Sequence, residues 1–85
     1  MPAKSFSLSK KANKQINNLP LRIQNKIGYA FKAIKQNPIS GTKLHGELES
    51  YYKFRVGDYR VVYLFNPETQ TVYIVKIEHR QGVYK

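Results

Sequence analysis

The sequence predicts an α+β domain: a short N-terminal strand, a helical hairpin, then a three-stranded antiparallel meander with the helices on one sheet face. Two patterns and a composition carry this. The run Tyr51-Tyr52-Lys53-Phe54-Arg55-Val56-Gly57-Asp58-Tyr59-Arg60-Val61-Val62-Tyr63 alternates in character on both sides of Gly57-Asp58, which marks a tight β-hairpin. Ile23, Ile27, Ala30, Phe31 and Ile34 repeat with the helical period. The chain has 85 residues and no cysteine, so residues 1–85 form one small domain that closes without disulfides. Its seven tyrosines and four phenylalanines supply the core, since large rings bury about 150–250 Å² each.

In chain order, Phe6 and Leu8 alternate with serines and predict a short edge strand. Ser9 caps a helix reaching Asn18 or Leu19, whose buried stripe of Ala12, Ile16 and Leu19 is narrow. Pro20 ends it and opens the second helix, which Asn37-Pro38 closes. Ile39 to Ser50 reads as a connector broken by Gly41 and Gly46, with Leu44 and Leu48 as its apolar residues and His45 as a connector residue.

The central hairpin has a definite predicted register: Val56 faces Tyr59, Arg55 faces Arg60, Phe54 faces Val61, Lys53 faces Val62 and Tyr52 faces Tyr63. One face then collects Tyr52, Phe54, Val56, Tyr59, Val61 and Tyr63 as core, and the other carries Lys53, Arg55 and Arg60. Asn66-Pro67-Glu68-Thr69-Gln70 reads as a five-residue turn before a last strand, Thr71 to Glu78. That loop pairs Phe65 with Thr71, Tyr63 with Tyr73, Val61 with Val75 and Tyr59 with Ile77. It sets Arg60 opposite Lys76 and carries the basic face on to Arg80.

The net charge of +10 is uneven, because nine lysines and arginines precede the first acid, Glu47. Such a chain predicts a polyanion as partner, nucleic acid or an acidic protein. Two arginines facing each other across a hairpin repel unless an anion lies between them, so this face suits phosphate. Two histidines, no cysteine and five scattered acids make no ligand cluster, so no metal and no cofactor is expected. No apolar run approaches the roughly 20 residues of a membrane span, and the first residues lack a signal-peptide core, so a cytoplasmic protein without a membrane partner is the expectation.

Lys43-Leu44-His45-Gly46-Glu47-Leu48, the hairpin run from Tyr52 to Tyr63, and His79-Arg80-Gln81-Gly82-Val83-Tyr84 together resemble the RelE/ParE toxin superfamily over nearly the whole chain. The resemblance implies the toxin of a type II toxin-antitoxin system, neutralised by a cognate antitoxin. RelE-like members are ribosome-dependent mRNA endoribonucleases; ParE-like members act on DNA gyrase. Carried over from RelE, the catalytic set is Lys53, Arg55, Arg60, Arg80 and Tyr84; Lys76, which the register adds to the basic face, and His79, which lies near the cluster, are the expected RNA-binding residues. Arg55 stands where RelE has a lysine, and a guanidinium is a poor proton acceptor, which leaves Lys53 as the base candidate.

Chemistry supports the same reading. RNA is cut without metal when its 2′-hydroxyl attacks the adjacent phosphate, and clustered cations stabilise the charge that develops. Crowding of like charge favours the neutral amine that a lysine base requires. Tyr84 offers a stacking surface for a base. His79 has the titration range for proton transfer, but strand alternation places it opposite Arg80. The expected function is a ribosome-dependent mRNA endoribonuclease acting in the decoding site. The alternatives are a gyrase-directed toxin and an RNA-binding relic without activity.

Overall fold

A computed structural model describes residues 2–43 and 51–79. In chain order these form β1 (Ser5–Leu8), α1 (Lys10–Asn17), α2 (Leu21–Gln36), β2 (Thr42–Lys43), β3 (Tyr51–Val56), β4 (Tyr59–Asn66) and β5 (Thr71–His79). The strands make one five-stranded sheet ordered β1-β5-β4-β3-β2. The β1–β5 pair is parallel and the others are antiparallel. The meander β3-β4-β5 is therefore its centre. Two short strands extend it, β1 at the predicted edge and β2 inside what reads as a connector.

Local chemistry fixes the helices. The Ser9 side chain accepts from Ala12 N at 3.0 Å and caps α1. Pro20 stands at the N-cap of α2, and Asn37 before Pro38 ends that helix. The predicted stripe of α2 is the buried one: Ile27 and Ile34 are fully buried, Ala30 nearly so, and Ile23 and Phe31 pack against the core. These meet Val61, Tyr63, Val72, Ile74 and Ile77 from the sheet. Phe6 of β1 and Phe31 of α2 add a tilted ring pair 5.3 Å apart.

The β3–β4 register matches the predicted one at all five pairs. Gly57 has φ +58° and Asp58 does not, the pattern of a type II′ turn with glycine first. The β4–β5 register differs from expectation. The Asn66 side-chain oxygen accepts from Glu68 N at 2.9 Å, and Gln70 adopts a left-handed φ of 54°. Together these close the loop in four residues, so Asn66 pairs with Thr71 and Phe65 with Val72. The pairing then slips: Tyr63 faces Ile74 but Val62 faces Lys76, leaving Val75 as the extra residue of a β-bulge. A one-residue slip exchanges sheet faces. Val72 and Ile74 are thus core in the first half of β5, and Tyr73, predicted inward, is 40% exposed. Past the bulge Ile77 is core, as predicted.

The end of β1 at Leu8, opposite Ile74, leaves the outer edge of β5 from Val75 onward to be satisfied by something else. α1 supplies it. The Ser9 hydroxyl donates to the Val75 carbonyl. The Gln15 side chain donates to Ile77 O at 2.7 Å and accepts from Ile77 N at 2.8 Å, replacing a strand with one amide. This fixes the first turn of α1 beside the bulge.

Candidate nucleic-acid interface

On the solvent side of the sheet, the observed register arranges side chains in rows across β3, β4 and β5. One row is Arg55, Arg60 and Glu78; the next is Lys53, Val62 and Lys76. Tyr51 and Leu64 begin a third with Tyr73. Val62 is only 5% exposed although its row lies on this outer face. A cleft of about 420 Å³ opens here, floored by Val62 and Val75 and walled by Lys11, Tyr51, Lys53, Arg60, Lys76 and Glu78.

The predicted residues divide into those the fold brings together and those it does not. Lys53, Arg60 and Lys76 line the cleft. Arg55 faces Arg60 across the hairpin as expected, but it is exposed and its Nε donates to Gly57 O at 3.3 Å, away from the cleft. Arg60 lies opposite Glu78 and not Lys76, a correction that follows from the bulge at Val75. Glu78 takes part of the role a bound anion would have: its carboxylate is 3.0 Å from Lys76 Nζ and 3.7 Å from an Arg60 nitrogen. His79 lies opposite Tyr59 and packs edge-on against that ring, with centroids 4.6 Å apart. That contact, with the partly core-packed Tyr59, turns the imidazole to the helical side of the sheet and away from Arg60. Arg80 and Tyr84 lie outside the described residues, as do His45, Gly46, Leu44 and Leu48.

One contributor was hidden in the sequence. Lys11 reads there as one more solvated helix lysine, and only the docking of α1 on β5 brings it to the cleft. Glu78 shares the face of Lys76 by strand alternation, and the bulge decides that it stands directly across from Arg60. The signal available for Lys11 was its place two residues after the capping Ser9, which says nothing about what the cap touches.

One hydroxyl behind the face holds β3 in position. Tyr63 is fully buried, stacks on Tyr52 at 5.3 Å, donates to Pro38 O at 2.8 Å and accepts from Gly41 N at 3.1 Å. Burial raises the Tyr63 pKa, and hydrogen bonds with Gly41 and Ser40 oppose that rise. Gly41 has no space for a side chain, because a Cβ there would lie 2.7 Å from Lys53 O. The end of α2 is thereby tied to the backbone of Lys53 through β2.

The outer face of the sheet thus sets Lys53, Arg60 and Lys76 around an apolar floor, chemistry that suits an anion. The comparisons are more specific. Residues 6–84 match the family model for the ParE toxin of type II toxin-antitoxin systems. The chain is 32% identical over 76 residues to Toxin RelG of Mycobacterium tuberculosis, covering 87% of each. Its fold superposes with TM-score 0.82 on a chain of the toxin-antitoxin complex RelBE2 of M. tuberculosis, at 29% identity over 94% of this chain and 93% of that one. The archaeal RelE-RelB complex of Pyrococcus horikoshii (TM-score 0.77, 23% identity, 94% and 97% covered) and the isolated Escherichia coli RelE toxin (0.77, 21%, 94% and 89%) share the fold. The protein belongs to the RelE/ParE superfamily of type II toxins.

Proposed function

We propose that this toxin is an mRNA endoribonuclease that acts on the ribosome by metal-free transesterification. The observation that supports it most is the convergence of Lys53, Arg60 and Lys76 on one cleft on the solvent side of the sheet. In this reading Lys53 takes the proton from the 2′-hydroxyl. The O2′ oxygen attacks phosphorus, the P–O5′ bond breaks, and O5′ takes a proton from solvent. The products are a 2′,3′-cyclic phosphate and a 5′-hydroxyl. Arg60 stabilises the charge on the phosphate oxygens, and Glu78 must yield Arg60 and Lys76 to the substrate as it binds. Arg55 strengthens the field from the adjoining row, Arg80 and Tyr84 complete the set as resemblance implies, and His79 is left to packing on Tyr59.

A cognate antitoxin belongs to the same proposal. M. tuberculosis RelBE2 is a toxin-antitoxin complex, and the basic face of this chain would attract an acidic segment of such a partner with an affinity that falls as salt rises.

A second reading is favoured by the matching family model, which is that of ParE toxins: the basic face binds DNA gyrase and does no chemistry. One experiment separates the two. Messenger 5′ ends are mapped after expression of wild type, Lys53→Ala and Arg60→Ala. The nuclease reading expects new ends with wild type and a rate lower by about 10²–10³ without Arg60, the worth of a preorganised donor. Cell killing that persists in both variants without new ends, together with cleaved DNA complexes, establishes the gyrase reading instead.

A further inference from the structure

We propose that Lys11 forms a second phosphate position on this face, so that the cleft holds two successive phosphates of single-stranded RNA and not the scissile one alone; this rests on the nuclease reading. Lys53, Val62 and Lys76 form one row across three strands, and Lys11 continues it from α1 past the edge of β5. Lys53 and Lys76 are two strand spacings apart, about 9–10 Å between backbones, and Lys11 lies beyond. Buried Val62 separates the two ends. Glu78 already pairs with Lys76, whereas Lys11 has no ion pair among the described residues and is the free cation at its end of the cleft.

Lys11 is also held in place. Its helical turn is fixed by the Ser9 bond to the Val75 carbonyl and by the two Gln15 bonds to Ile77. A cation on an anchored turn loses less freedom on binding than one on a free helix end. Tyr51 at the opposite wall gives a base a ring to stack on, and rings beside a cationic track suit a single nucleic-acid strand better than an acidic peptide.

The test measures binding of 2′-O-methyl RNA trinucleotides, which lack the attacking hydroxyl, to the full-length protein. Each of their two phosphates is replaced in turn by a neutral methylphosphonate. The wild type is expected to lose affinity at both replacements. Lys11→Ala should be indifferent at one position, with a salt slope shallower by about 0.7, the value for one phosphate on a single strand. Lys11→Arg should restore the loss. Lys14→Ala removes the same charge from the same helix outside the cleft and should behave as wild type. Equal losses in Lys11→Ala and Lys14→Ala, unchanged position dependence in Lys11→Ala, or a wild type blind to both replacements each overturn the proposal. It also falls if Lys11→Ala weakens binding of an oligoglutamate peptide and not of RNA. Because the probes cannot be cleaved, absence of mRNA cleavage refutes the nuclease reading while leaving a Lys11-dependent phosphate position standing.

Discussion

Replacing Tyr63 by Phe removes one oxygen and two hydrogen bonds from the interior. The Pro38 carbonyl loses a donor at 2.8 Å and the Gly41 N–H loses an acceptor at 3.1 Å, while the ring and its stacking on Tyr52 are retained. Each buried group left without a partner costs about 1–3 kcal/mol. Water reaches the half-buried Gly41 site more readily, so a total of about 2 kcal/mol is expected. For a domain of this size that is a fall of about 8–16 °C in melting temperature. Circular dichroism melts of wild type and variant measure it, with amide exchange expected to quicken at Thr42 and Lys43, where β2 pairs with β3. A fall of less than about 2 °C refutes the claim that this hydroxyl fastens the connector. The hydroxyl also predicts an alkaline signature. Burial raises the folded pKa of Tyr63, so above about pH 10 the unfolded chain loses its proton first and stability declines as pH rises through the folded value. The stability gap between wild type and Tyr63→Phe should therefore narrow above pH 10, and a gap that widens there contradicts the assignment.

Gly41→Ala should destabilise by about 1–3 kcal/mol, because the new Cβ meets the Lys53 carbonyl, which is backbone and cannot swing aside; a chemical denaturation curve with an unchanged midpoint refutes this. Gln15→Ala exposes the edge of β5 at Ile77 and should cost about 1–3 kcal/mol, with faster amide exchange at Ile77 as the specific readout. Glu78→Gln frees Arg60 and Lys76 and should tighten binding of single-stranded RNA, with a stability change of no more than about 1 kcal/mol, as for other partly exposed pairs. Weaker RNA binding by that variant means that Glu78 orders the cations and does not compete with phosphate for them.

The order of elements apart from β2, the Ser9 cap, the buried stripe of α2 and the β3–β4 register were legible in the sequence, because each is set by neighbours or by a two-residue turn. Lys53 and Arg60 on the outer face followed from that register. The β4–β5 pairing did not. Its loop closes through an Asn66 side-chain bond and a left-handed Gln70, and its strand carries a bulge at Val75 with no glycine to announce it. That bulge decided that Tyr73 faces solvent and that Glu78, not Lys76, stands against Arg60. β2 was equally hidden, since two residues have no period; it exists because β3 offers an edge and Tyr63 holds the connector against it. Lys11 is the clearest case. Its charge and its helix could be read directly, but its place in the cleft depends on hydrogen bonds between residues more than sixty positions apart, and local pattern carries no information about such pairings.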